Sequence, residues 1–413
     1  MTNNSQMPPD NERQRIAIIG AGIGGLTTAI ALRQFGFKPE IFEQAPLLLD
    51  VGAAIALWSN AMRVLRALNL EDQVLQKAGV IEQIKWVDQH GRLINSVKLR
   101  SGQDSDVPCV ALHRADLQRI LLDALPAELV HLGNTLIDYK TSDKSVTATF
   151  SNGNVFESDL LIGADGIHSR VRSELINNAA PIYRGYTVWR GISNIVPGSL
   201  PKATAIEIQG KGRRFGIGPV GLGKIGWWAA ANAANTSTTV IERSPPTRWK
   251  QGERAVPVQD VQRELLRMFD GWFRPILQLI EATPNSSILK TGAFDRPASA
   301  AWSSGPITLL GDAIHPTTPN LGQGGCLAIE DAMILARCLH GFEAYEAFKK
   351  YERLRRNRTN KIARYSRLYG NVGQWERVIA RGVRRSVLSL VPEAVARRLM
   401  DLVFAYDAEM IEL

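Results

Sequence analysis

The chain has 413 residues, 45% of them apolar and 22% charged, with a formal charge of +9. This balance excludes a disordered chain and allows one large or two ordinary domains, each with a core of its own. No stretch approaches the roughly eighteen uncharged apolar residues of a membrane span, and the first residues carry no apolar signal core, so a cytoplasmic address is expected.

Residues 1–14 read as a disordered polar tail. Arg15 to Ile19 is a β-branched run of the kind that forms a buried parallel strand, and it ends in Gly20-Ala21-Gly22-Ile23-Gly24-Gly25. Small and apolar residues then predict a helix that stops near Gly36, and a second strand, Pro39 to Phe42, ends at Glu43. The pattern is G-x-G-x-x-G between strand and helix, with an acid at the end of the next strand. Gly20 suits the tight turn, Gly22 the close approach of a pyrophosphate, and Gly25 the packing of helix on sheet, while Glu43 is placed to accept from an adenosine ribose. Dinucleotide binding is the reading that explains all four residues.

The small-residue stretch from Val51 to Asn60, which includes Ala54, leads into a helix with Met62, Leu65 and Leu68 on one side. Residues 81–112 alternate apolar and polar positions around a turn at Gly91, which predicts an inserted antiparallel hairpin. Arg114 opens the helix that follows. Short strands from 129 to 162, with turns at Ser142-Asp143 and Ser151-Asn152-Gly153, end at Gly163-Ala164-Asp165-Gly166, where a strand again delivers an acid and a glycine to a sheet edge. Residues 186–232 are rich in strands, helices are expected over about 258–282 and a strand near 287–294. The apolar run Ile307 to Leu310 then feeds Gly311-Asp312-Ala313-Ile314-His315-Pro316, and Gly322-Gln323-Gly324-Gly325 opens a helix. A strand, an acid, prolines and glycines before a helix suit a loop whose N–H groups meet an anionic ligand.

The expected fold class is α/β: a Rossmann-like dinucleotide-binding domain interleaved with a β-sheet-rich domain, followed by C-terminal helices. Residues 15–80, 113–185 and 290–345 are assigned to the first domain, 81–112 and 186–289 to the second, and 346–413 to a basic helical region. Within it, residues 349–398 hold fifteen Lys and Arg against three Glu, a balance of +12, which leaves −3 for the remainder. This stretch reads either as a solvated helical face or as a surface for an acidic partner or for peripheral contact with anionic lipid. Nucleic acid is not expected as a partner, since no recognition motif accompanies the charge. Cys109, Cys326 and Cys338 show no metal-ligand spacing, so neither a metal nor a disulfide framework is expected.

Three stretches stand in one order: Gly20 to Gly25 with Glu43, Asp159 to Arg172, and Gly311 to Asp331. That order resembles the FAD-dependent aromatic hydroxylase family, the single-component class A flavoprotein monooxygenases, over roughly residues 14–370. The family includes hydroxybenzoate and urate hydroxylases, quinolone monooxygenases and zeaxanthin epoxidase-like proteins. The resemblance implies FAD as the dinucleotide, NADPH or NADH as a transient reductant, and insertion of one oxygen atom of O2 into an apolar aromatic or polyene substrate through a flavin hydroperoxide. It assigns the pyrophosphate to Gly20, Gly22 and Gly25, the adenosine ribose to Glu43, adenine to the backbone of Leu136, and further cofactor contacts to Gly24, Ala54, Arg114, Asp165 and Asp312. It places Gly322, Gly324 and Gly325 at the flavin ring and Pro316 on its oxygen-reactive face, with His315 as a candidate base. Arg214 matches an arginine of the urate hydroxylases, whereas Gly226 stands where they carry a tyrosine, a departure from the urate pattern. Arg190, Arg214, Trp227 and Trp228 are the expected substrate contacts. Two other readings of the same fold stay open, a flavin-dependent reductase and a flavin-binding protein without turnover. The residues distinguish neither NADPH from NADH nor one oligomeric state from another.

Overall fold

A computed structural model describes residues 14–48, 53–99, 107–142, 145–233 and 260–413. The expected N-terminal tail to residue 13, Val51-Gly52 and Asp143 lie outside the described residues.

In chain order, β1 (Arg15–Ile19) leads through the glycine turn into α1 (Ile23–Gln34) and β2 (Lys38–Phe42). Next come β3 (Ala54–Leu57), α2 (Ser59–Ala67), α3 (Glu71–Lys77) and β4 (Gly79–Ile81). The hairpin β5 (Gln83–Asp88) and β6 (Leu93–Lys98) turns at Gly91, whose φ of +83° favours glycine. β7 (Cys109–His113) runs into α4 (Arg114–Asp123), followed by β8 (Val130–His131), β9 (Leu136–Thr141), β10 (Val146–Phe150), β11 (Val155–Ser158), β12 (Leu160–Gly163) and α5 (Arg170–Leu175). The long strands β13 (Ile182–Ser193), β14 (Thr204–Gln209), β15 (Arg213–Pro219) and β16 (Ile225–Asn232) precede α6 (Val261–Met268), α7 (Pro275–Glu281) and β17 (Leu289–Asp295). β18 (Ser303–Ser304) and β19 (Ile307–Leu309) lead to α8 (Gly324–Gly341), α9 (Ala344–Gly373), α10 (Val378–Leu390) and α11 (Glu393–Phe404).

Two large sheets organise these elements. One has the order β18-β19-β12-β1-β2-β8, and β1 runs parallel to both β2 and β12, as β12 does to β19. The carboxyl ends of β1, β12 and β19 therefore deliver Gly20, Asp165 and Asp312 to one edge, where an open α/β sheet presents its crevice. The other has the order β17-β13-β16-β15-β14-β5-β6 and is antiparallel except for the β14–β5 pair. Its outer strand β6 is fastened to the C-terminal helices, since Asn95 Nδ2 donates to the Leu388 and Val391 carbonyls at 2.6 and 3.0 Å.

The strands cross the expected domain boundaries in two places. β7, read as part of the 81–112 insertion, pairs instead with β3 and β4 in a small sheet. β17, whose residues from 290 onward were assigned to the dinucleotide unit, pairs with β13. Alternation marks a strand but carries no record of its partner. Among the described residues no helix is long and apolar enough to cross a membrane.

Candidate active site

The glycine turn is shaped by close backbone approach. Gly20 has φ +109°, and a Cβ there would lie 2.6 Å from the Ala164 carbonyl oxygen at the exit of β12; one at Gly25 would overlap the Gly20 oxygen. Gly22 differs, because a Cβ there would meet no atom within 4 Å, so the turn opens onto free space where a diphosphate fits. The Glu43 carboxylate accepts from the N–H of Ala21 at 2.8 Å and of Ala45 at 2.9 Å, and thus ties the end of β2 to the turn. Gln118 of α4 donates to the Ala21 carbonyl at 2.9 Å and brings that helix alongside.

Asp165 follows β12 and supports the start of α5 beside its Ser169 cap, its Oδ2 accepting from the N–H groups of Arg170 and Val171 at 2.7 and 3.2 Å. Its Oδ1 is buried without a partner, and burial raises the carboxyl despite the hydrogen bonds it accepts. Asp312 lies at the end of β19. Its carboxylate stays open to the cleft although protein surrounds it; that desolvation raises its pKa, while the charges of His315 and Arg114 pull it partly back. Arg114 stands at the start of α4, and its charge acts on the Asp312 carboxyl. The first turn of α8 faces the same space: it has no capping side chain, and a Cβ at Gly324 would lie 3.8 Å from Asp312 Oδ1. Its leading N–H groups consequently point outward with the positive helix end.

Behind this loop runs a buried ionic chain. His315 Nε2 lies 2.6 Å from Asp331 Oδ2, which also accepts from Gly311 N at 3.1 Å. Arg355 lies 2.6 Å from both Asp331 and Glu330, and Arg358 is 2.6 Å from Glu330. Burial pushes the Asp331 carboxyl up, but His315 and Arg355 more than reverse this and hold it at about 2.

On the large sheet, cross-strand register sets Arg190 opposite Trp228 and Trp228 opposite Gly216. A Cβ at Gly216 would overlap the Trp228 indole, so the missing side chain is what lets that ring lie over the strand. Tyr186, Val188 and Ala230 cluster with Trp228 on this face. The same face holds Arg214, 1% exposed, with Nη2 donating to Asn320 Oδ1 at 2.5 Å and Nε to Gln374 Oε1 at 3.3 Å, and with Glu207 at 3.5 Å. Asn320 in turn donates to the Tyr186 hydroxyl at 2.8 Å, and Tyr369 of α9 donates to Glu207 at 2.8 Å. Loop, sheet and α9 are joined by this network.

A family model described as FAD binding domain matches residues 13–195 and 282–366. The chain belongs to the FAD-dependent aromatic monooxygenases. Aurachin C monooxygenase/isomerase from Stigmatella aurantiaca is 37% identical over 91% of this chain and 94% of its own length. Zeaxanthin epoxidase from Spinacia oleracea is 33% identical over 79% of this chain, which spans 48% of that longer protein. Among solved structures, Klebsiella pneumoniae HpxO complexed with FAD and uric acid superposes with a TM-score of 0.82 at 26% identity, covering 94% of this chain and 95% of that one. The open space at Gly22, the cleft carboxylate of Asp312 and the uncapped start of α8 fit FAD. When bound, it supplies the electron storage and dioxygen activation of the monooxygenase, with NAD(P)H as the reductant of the class.

Several expected site residues of the monooxygenase lie elsewhere. His315, read as a candidate base, is buried and bound to Asp331 behind the loop, so its imidazole braces the loop instead of facing the cleft. Trp227 points to the opposite side of the sheet from Trp228, 2% exposed, donating to Thr283 Oγ1 at 2.9 Å and stacking on Phe215; successive strand residues face opposite ways, and α6 and α7 cover that side. Gly24 packs α1 against Leu310 and Ala328, with a Cβ there 2.8 Å from Leu310. Leu136 has its side chain in the core, which leaves its backbone, the expected adenine contact, in place at the start of β9. Ala54 lies against Gly226, where a Cβ would be only 2.7 Å away, so the position matching the urate hydroxylases' tyrosine has no room for a side chain. Arg214 reaches no open surface, being enclosed by Asn320, Glu207 and α9. Sequence reasoning missed Tyr186, Glu207, Asn320 and Tyr369, which come from separate segments. The sole local signal was Glu330-Asp331, an acidic pair inside an apolar helix that needed buried cations.

Proposed function

We propose that this monooxygenase inserts one atom of O2 into an apolar aromatic or polyene compound, by hydroxylation or epoxidation. The carrying observation is the wall formed by Trp228 lying over Gly216, with Val188 and Ala230 beside it and Arg190 as its cross-strand polar neighbour. A planar indole packed on apolar neighbours favours a planar or extended hydrophobic ligand, and the polar network of Arg214, Asn320 and Tyr186, with the Arg214 guanidinium 5.3 Å from the Trp228 ring centre, borders it. The match to aurachin C monooxygenase/isomerase over nearly both full lengths, and to zeaxanthin epoxidase, supports such a range.

In this reading Gly20, Gly22 and Gly25 hold the diphosphate and Glu43 and the Leu136 backbone the adenosine end. Arg114, Asp165 and Asp312 meet the middle of FAD, with Asp312 accepting from its hydroxyls. The start of α8, at Gly322, Gly324 and Gly325, sets N–H groups against the ring end and favours negative charge there. Pro316 shapes the loop on the substrate side, and Arg214 positions Asn320 on that loop.

The test is a panel of aromatic and polyene compounds screened for stimulated NAD(P)H oxidation under labelled dioxygen. A compound that stimulates turnover and gains one labelled oxygen supports the proposal. Stimulated oxidation with a reduced, unlabelled product would replace it with a reductase reading.

A further inference from the structure

Surface helices of globular proteins turn polar residues outward and apolar ones inward. α10 does the reverse. Ile379, Val383, Val387 and Leu390 are spaced four, four and three residues apart, which places them on one face, and they are 83%, 52%, 57% and 78% exposed. The inward side is fastened by polar groups: Arg384 is buried, donating to the carbonyls of Gly373 at 2.6 Å and Gly210 at 3.1 Å, and Arg385 meets Asp88 at 3.1 Å. Asn95 of β6 adds its bond to the Leu388 carbonyl. The aliphatic stripe is therefore held outward by the fold itself.

We infer that α10 is an interfacial helix that docks on an anionic phospholipid bilayer. Its thirteen residues include no acid. Of its three arginines Arg384 is buried and Arg385 pairs with Asp88, so Arg381 and the exposed Arg377 immediately before the helix are the cations beside the stripe. They are preceded by Glu376, which accepts from Asn232, and by the partly exposed Trp375. Aliphatic side chains beside tryptophan and arginine suit the boundary between acyl chains and negative headgroups. α11 carries a second exposed stripe, Val395, Leu399 and Leu402. Charge selects bilayer over a second copy of this chain, because two such faces would bring like charges together. Many of the other basic residues in this half are already committed: Arg355 and Arg358 hold Glu330 and Arg367 holds Asp295. The docking face is accordingly a local one, and it stands independently of the substrate proposed above.

The holoenzyme is sedimented with vesicles of phosphatidylcholine containing about 40% phosphatidylglycerol, and with phosphatidylcholine alone, at low and high salt. Wild type is expected to pellet with the anionic vesicles, less so at high salt, and to stay in solution with the neutral ones. The double variant Ile379→Asp/Val387→Asp, at two exposed positions, is expected to keep its FAD content and melting temperature while its vesicle partitioning falls at least about tenfold. Wild type that remains in the supernatant overturns the inference, as does a double variant that pellets equally well. A wild-type dimer in sedimentation velocity that the double variant dissociates would assign the face to a second copy and overturn it too.

Discussion

Replacing Asp331 by Asn keeps the shape of a buried side chain and removes its charge. In the wild type that carboxylate accepts from His315, Gly311 and Arg355, so it ties both ends of the turn that carries Asp312. Its carboxyl is held at about 2, against an ordinary value of 3.8; at about 1.4 kcal/mol per pH unit this is worth about 2 kcal/mol of stability at neutral pH. Because the folded-state value is the lower one, that stability is complete above about pH 4 and is lost as pH falls through about 2. Arg355 retains Glu330 in the variant, which limits the damage, whereas Arg355→Met removes the cation shared by two buried acids, leaving Glu330 to Arg358 and Asp331 to His315, and should cost about 3–5 kcal/mol. Urea unfolding of Asp331→Asn at pH 7 is expected to show a loss of about 2 kcal/mol, with a shallower loss of stability between pH 4 and pH 2 than wild type. FAD retained through gel filtration should also fall, since the turn bearing Asp312 loses a charged tether. A variant as stable as wild type and equally loaded with FAD would refute the role given to this ionic chain.

Asp312→Ala removes the open carboxylate at the cleft and is expected to weaken FAD binding roughly ten- to hundredfold, read by fluorescence of released flavin; full occupancy would remove Asp312 from the cofactor site. Trp227→Phe loses the buried bond to Thr283 and should cost about 1–3 kcal/mol without altering substrate preference. Trp228→Ala, on the other face, should change KM across the substrate panel several-fold; equal shifts in both variants would undo the assignment of faces. Gly226→Tyr forces a Cβ to within 2.6 Å of Val220 and 2.7 Å of Ala54, so a loss of about 1–3 kcal/mol and no urate-stimulated NAD(P)H oxidation are expected. A melting temperature equal to wild type together with gained urate turnover would contradict that packing.

Local spacing carried much of the cofactor half. The glycines at 20, 22 and 25 and the acid at 43 are read together because a tight turn, a close approach and a helix start are demands on neighbouring backbone, and the hairpin around Gly91 was legible for the same reason. Alternation also required Trp227 and Trp228 to face opposite ways. Which of them joined the core depended on where α6 and α7 pack, and no pattern within β16 records that. The partners of His315 and Arg214 were likewise out of reach, because Asp331, Arg355, Asn320, Glu207 and Gln374 come from different elements and meet only when loop, sheet and α9 close together. The basic C-terminal half shows the same division. Composition located the charge, but burial sorted it, drawing Arg355, Arg358 and Arg384 inward to acids and carbonyls and leaving the aliphatic face of α10 outside. Buried charges must find partners, whereas an apolar stripe finds one only if the fold has a surface left to cover it.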